Sequence, residues 1–266
     1  ATLLVLATLV SAASAQERAT TIVITGDVVY GHKHGLALTY DVLQPRDDAN
    51  GAGVLFMVSG GWVSRWSPPE QATERFRALL EKGFTVFLVR HGSSPKFVVP
   101  ECVADVRRAV RSVRANARRF GIDPDRLGAF GGSAGGHLSL MVGTTADDGD
   151  PKATDPVLRQ SSRVAAVVAY FPPTYLGPFV QLDSPLRQSF PALRFDPKQA
   201  DDVSPLHHVS RDDAPSLMIH GDLDQLVKLD HSQKIHAAFE ELKVVSKLIV
   251  IKGAAHGFRG EDNRKA

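Results

Sequence analysis

The chain has 266 residues, 43% hydrophobic and 23% charged, enough for one large core. Its formal net charge is +2 with both signs interspersed, which argues against a dedicated nucleic-acid surface, since that would show as a basic stripe. One cysteine, Cys102, excludes an intramolecular disulfide and a cysteine-based zinc site.

In chain order, residues 1–15 read ATLLVLATLVSAASA, an uncharged apolar run closed by Ala13-Ser14-Ala15, the small-x-small pattern that signal peptidase cleaves. This reads as a partial signal peptide cut after Ala15, implying a secreted or periplasmic protein. The mature part, 16–266, has no other run approaching about 20 apolar residues and hence no expected membrane span. "TTIVITGDVVY" and "LALTYDVLQP" are β-branched and partly alternating, the pattern of a hairpin. The continuous apolar runs at 53–61 and 84–90 predict strands buried on both faces, with a helix over 69–82 between them. Val103, Val106, Val110 and Val113 recur at helical spacing within 101–120. The arginines of that stretch (107, 108, 111, 114, 118 and 119) are expected on its solvated face.

Four short apolar strands follow in "RLGAFGGS", "RVAAVVAYF", "PSLMIHG" and "KLIVIKG", with helices over 135–143 and 229–242. Strands alternating with helices predict a single α/β domain with a mostly parallel twisted sheet of about eight strands. The proline- and aromatic-rich stretch 171–210 has no clear period and reads as a cap-like insertion over the sheet edge and the active site.

"RLGAF" then "GGSAG" then "GGHLSLMVG" is strand, turn and helix, and Gly131-Gly132-Ser133-Ala134-Gly135 fits the G-x-S-x-G elbow. Glycines flank the serine because strand and helix leave no room for side chains there. A phosphate loop is excluded, because no Gly-Lys pair exists in the chain. A serine nucleophile needs a base oriented by a carboxylate. His256 alone sits in a glycine-flanked loop after the terminal strand, whereas His231 and His236 lie on a helix and read as solvated. His137, one turn into the elbow helix, reads as packed or hydrogen-bonded beneath it. Asp222 and Asp224 compete for the acid. Asp224 lies farther from its strand and is better placed to reach His256, while Asp222 suits a cap of its own turn. For the oxyanion, Ala134 is one expected N–H donor and Gly60, Gly61 or Trp62 the other.

With these motifs in hand, the chain resembles the α/β-hydrolase superfamily, in its exported esterase and prolyl-oligopeptidase-like branch of feruloyl esterases and carboxylesterases. The likeness is carried by "SGGWVS", the segment from "FLVRHGSSPKF" to "GGSAGGHLSL", "LMIHGDLDQLVKLDHSQKIHAAF" and "GAAHGF". It implies Ser133 as nucleophile, Asp224 as acid, His256 as base, and hydrolysis of a small-molecule ester through an acyl-enzyme with no cofactor or metal. Two departures stand out. Val58-Ser59-Gly60-Gly61-Trp62 replaces the His-Gly-Gly-Gly-Trp frequent in relatives, leaving Ser59 to brace the loop. The chain also stops ten residues after His256, so the closing helix of relatives is expected to be cut short and the chain to be truncated at both ends.

Trp62, Phe171, Tyr175 and Phe179 are expected to line the substrate pocket, with Phe190 a further candidate; aromatic walls suit short-chain or aryl (hydroxycinnamoyl) esters. An exopeptidase or aminoacyl-ester hydrolase of the same branch is the alternative. A catalytically inactive fold used as a binding module is the remote one.

Overall fold

The hairpin at the start of the chain forms from β1 (Ile22–Lys33) and β2 (Leu36–Pro45), paired antiparallel. The structure is a computed structural model and describes residues 20–258 and 260. The leader read at 1–15 and the expected closing helix lie outside the described residues.

After β3 (Gly53–Met57) the stretch expected as one helix is broken into α1 (Ala72–Arg75) and α2 (Arg77–Leu80). The break is at Phe76, whose ring is buried against Phe56 and Phe130 at centroid distances of 5.1 and 5.9 Å. Seating that ring on the sheet sets the backbone there, overriding the helical period. The remaining elements are β4 (Thr85–Val89), α3 (Val99–Ala115), β5 (Leu127–Gly132), α4 (Ala134–Thr144), β6 (Ala166–Tyr170), α5 (Pro185–Ser189), β7 (Ser216–Gly221), α6 (Asp230–Glu241) and β8 (Ser246–Ile251). All five residues of β4 are buried, as a strand covered on both faces requires.

The eight strands make one sheet in the order β1-β2-β4-β3-β5-β6-β7-β8. β2 joins β4 antiparallel, and every pair from β4 to β8 is parallel. Helix α3 buries Val103, Val106, Val110 and Val113, as its spacing predicted. Its arginines are a correction, because several act as clamps rather than as a solvated face. Arg111 is buried and donates to the carbonyls of Leu158 and Gln160 (3.0 and 2.9 Å) and to Asp147. Arg107 donates to Thr145 Oγ1, Arg108 pairs with Asp155, and Arg114 donates to the carbonyls of Ser161 and Arg163. Together they hold the excursion between α4 and β6 against α3.

Residues 171–210 form 3₁₀ turns and the short α5, and several of their side chains turn toward the carboxyl ends of the parallel strands. That end of a parallel sheet is where its loops converge and where ligand sites form. The adjacent strands β3, β5, β6, β7 and β8 each deliver one piece of the site described next.

Candidate active site

Ser133 follows directly on β5, with φ 54° and ψ −121°. A non-glycine residue in this region costs about 1–3 kcal/mol, so the surroundings must impose it. They do so by hydrogen bonds from Ser133 N–H to Tyr170 C=O and from His137 N–H to Ser133 C=O, both 2.9 Å. The flanking glycines are steric necessities. A Cβ on Gly131 would lie 2.6 Å from the Gly135 carbonyl carbon, and one on Gly135 2.7 Å from the Met57 carbonyl oxygen.

His256, in the loop after β8, places Nε2 2.9 Å from Ser133 Oγ and Nδ1 2.7 Å from Asp224 Oδ2. A carboxylate only accepts, so Nδ1 carries the proton and Nε2 accepts from the serine hydroxyl. Asp224 is the carboxylate the fold brings to His256. Its Oδ1 accepts the N–H groups of Leu226 and Val227, each at 2.9 Å. Burial works to raise its carboxyl, but the nearby His220 imidazole and hydrogen bonds from His256 and the Val227 N–H outweigh that and hold it well below the usual carboxylate range. Asp222 is exposed and accepts the Gly253 N–H at 2.6 Å. It ties the loop after β7 to the loop after β8, rather than capping its own turn.

His220 escaped the sequence reading, although it stands in the quoted "SLMIHG". It is fully buried on β7, donates Nε2–H to Val227 C=O (2.8 Å), accepts from Ser232 Oγ at Nδ1 (2.7 Å), and lies 3.3 Å from Asp224 Oδ2. A polar side chain at the buried end of a central strand was the available signal.

The loop after β3 faces the elbow. Gly60 N–H is bonded to Val63 C=O at 3.1 Å, and Val63 N–H returns the bond, so Gly60 is not an oxyanion donor. Among the described residues, the N–H groups of Gly61, Trp62 and Ala134 have no protein acceptor. Ser59 does brace the loop: His91 donates Nδ1–H to Gly92 C=O, leaving Nε2 to accept from the Ser59 hydroxyl at 2.9 Å. Burial pushes the His91 imidazole down to about 4, which keeps it in this neutral form.

A cleft of about 350 Å³ opens on Ser133 and His256, walled by Gly61, Trp62, Phe171, Phe179, Phe190 and Leu226, with further apolar side chains behind. Phe171 meets the His256 ring edge-on at 4.7 Å. Tyr175, expected in this wall, is outside it. Its ring stacks on His231 at 3.9 Å and its hydroxyl bonds Asp230 and Lys234. His231, read as solvated, is buried and accepts the Thr174 N–H at 3.0 Å. Both departures follow from α6 packing under the insertion, a contact between segments over 50 residues apart in the chain. Among the described residues no group of three or more His, Cys, Asp or Glu is arranged to hold a metal ion, and no helix is long and apolar enough to cross a membrane.

A family model for BD-FAE matches residues 40–239, a span that includes Ser133 and Asp224 and stops short of His256. Among curated proteins, the chain is 31% identical over 238 residues to "Probable carboxylic ester hydrolase LipM" of Mycobacterium tuberculosis, covering 85% of this chain and 53% of that protein. It is 30% identical over 251 residues to "Esterase LipC" of the same organism, covering 87% and 59%. The chain thus spans a little over half the length of these relatives. Among solved structures, a truncated form of a carbohydrate esterase from gut microbiota superposes with a TM-score of 0.76 at 25% identity, covering 94% of this chain and 95% of that one. The apo form of Thermogutta terrifontis esterase 2 gives 0.71 at 25% identity, covering 93% and 90%. With the parallel sheet, the strained serine after β5 and a family match over most of its length, the chain belongs to the BD-FAE family of α/β-hydrolase esterases.

Proposed function

We propose that the protein hydrolyses carboxylic esters through an acyl-enzyme on Ser133. The observation that carries this is the unbroken chain of hydrogen bonds from Ser133 through His256 to Asp224, facing an apolar cleft beside unpaired backbone donors. Ser133 Oγ attacks the ester carbonyl carbon as its proton passes to His256 Nε2. The resulting oxyanion takes the N–H of Ala134 and that of Gly61 or Trp62. Collapse breaks the bond to the alcohol oxygen, and the alcohol leaves with the proton from His256. Water then attacks the acyl carbon, gives a proton to the same nitrogen and releases the acid, and Ser133 recovers its hydrogen. Asp224 holds His256 in the required tautomer and stabilises its imidazolium.

The substrate class follows from the wall. Phe171, Phe179, Phe190 and the leucines offer no charged partner, which favours neutral short-chain or aryl acyl groups such as hydroxycinnamates. No carboxylate lines the described cleft to receive the free amine of an aminoacyl substrate. Export is part of the same reading, supported by the apolar run and Ala13-Ser14-Ala15; the N-terminal residue of protein recovered from the native host checks it.

The test is a panel of p-nitrophenyl esters with methyl ferulate and an aminoacyl anilide. The esters are expected to turn over, and Ser133→Ala is expected to lower kcat/KM at least about 10⁴-fold. A fluorophosphonate should label the native protein at Ser133 and leave the variant untouched. Full activity in the variant, or labelling elsewhere, would sink the proposal.

A further inference from the structure

His137 takes no proton in the mechanism above, yet from its place on the elbow helix it reaches both the oxyanion loop and the insertion. It is fully buried, four residues after Ser133 and three after Ala134 on α4. Its Nε2–H donates to Val203 C=O in the insertion at 2.7 Å. Its Nδ1 accepts from the Trp62 indole Nε1–H at 3.3 Å, and the two rings meet edge-on, 5.5 Å apart at 77°. Both bonds together require the neutral ring protonated on Nε2. Burial supplies that state by pushing the imidazole down to about 4.

We infer that His137 is a positioning residue for the oxyanion hole, holding the Gly61 and Trp62 N–H groups in register with that of Ala134. The inference rests on the ester-hydrolase reading. Its physical basis is the backbone of the loop. Gly61 and Trp62 both have φ 56°, so two successive residues occupy the left-handed region and one of them is a tryptophan. A bulky side chain there is strained, and once free it would relax to negative φ. That rotation about the Trp62 N–Cα bond would turn the peptide plane carrying the Trp62 N–H away from Ser133. The Ser94 N–H on Trp62 C=O (3.1 Å) fixes the far side of the residue, and the indole–imidazole bond fixes the side chain. His137 stands on the same helix as Ala134, so the bond also sets the distance between the two halves of the hole. Val203 C=O, through Nε2, links the seating of the insertion to that distance.

The experiment compares His137→Leu, His137→Asn and His137→Gln with the native protein. It reads kcat and KM on a p-nitrophenyl ester, affinity for a trifluoromethyl ketone that forms a hemiketal on the serine, and thermal stability. Removing one oxyanion donor outright typically costs about 10²–10³ in kcat, so a displaced donor is expected to cost about 10- to 100-fold. In His137→Leu, kcat should fall by that factor with KM within about two-fold, and ketone affinity should fall in parallel with kcat/KM. Asn offers an acceptor where Nδ1 stood and Gln a donor where Nε2 stood, so Asn should recover more kcat than Gln. This Asn–Gln comparison decides the matter if the leucine variant does not fold. An active native protein with unchanged kcat and ketone affinity in folded His137→Leu overturns the inference alone. So do Asn and Gln variants that lose stability and activity equally, the pattern of a merely structural histidine. A native protein inert on every ester overturns the hydrolase reading and this inference with it.

Discussion

Two aspartates, two residues apart, have different work because one is buried against His256 and the other lies at the surface. Asp224 accepts from two backbone N–H groups and from His256, while Asp222 holds only the Gly253 N–H at the surface. Asp224→Asn replaces an acceptor-only carboxylate with an amide that can donate toward Nδ1 and so favours the wrong tautomer. It is expected to lower kcat by about 10³–10⁴, with KM little changed. Asp222→Asn is expected to stay within about three-fold of the native rate, since it still offers an acceptor to Gly253. Steady-state kinetics on one ester checks both, and an inversion of the two effects would reassign the acid. At this scale the sequence was informative. The G-x-S-x-G spacing and the glycine-flanked His256 are local signals, and their steric reasons are met at Gly131 and Gly135.

Among the elements, the loop after β3 and the insertion meet at one contact that shapes the cleft. A Cβ on Gly61 would lie 2.7 Å from the Phe190 ring, so this ring rests directly on the oxyanion loop. Phe190 therefore closes the cleft beside the position of the reacting carbonyl. Phe190→Ala is expected to lengthen the accepted acyl chain, raising kcat/KM for octanoate relative to acetate roughly ten-fold, within what an apolar pocket discriminates. A chain-length series measured on both proteins tests this, and an unchanged profile would place the acyl group elsewhere. The elements were only partly legible. The β4 strand and the valine stripe of α3 carry their periods in the chain, whereas the 69–82 stretch is interrupted at Phe76 by a pocket built from β3 and β5.

For the whole molecule, buried histidines link folding to pH. Burial pushes His91, His137 and His231 each from 6.5 down to about 4. The folded state therefore keeps them neutral where the unfolded chain would protonate them. Their contribution to stability is intact above about pH 6.5 and is lost progressively as pH falls toward 4. Unfolding near pH 5 is expected to take up roughly two to three protons from these groups. The slope of unfolding free energy against pH between 6.5 and 4 measures the uptake. Replacing His231 with Gln should reduce it by about one proton, and a slope unaffected by that change would show that His231 protonates in the folded state. Asp224, held low, stays ionised through this window and loses its contribution only at more acidic pH.

The sequence by itself determined the strand and helix rhythm, the elbow around Ser133, and the order in which Ser133, Asp224 and His256 follow along the chain. These rest on short-range rules: side-chain period, glycine sterics, and the residues a turn accepts. Tertiary structure decided which donors remain free and which polar groups are spent. Gly60 is consumed by Val63 across a small bridge, Tyr175 and His231 are drawn together by α6, and the arginines of α3 are turned onto the loop before β6. Each of these outcomes depends on the partner a group meets after the chain has folded back on itself. A donor or a charge carries no mark in the sequence of the acceptor it will find, because that acceptor is set by packing between segments far apart in the chain.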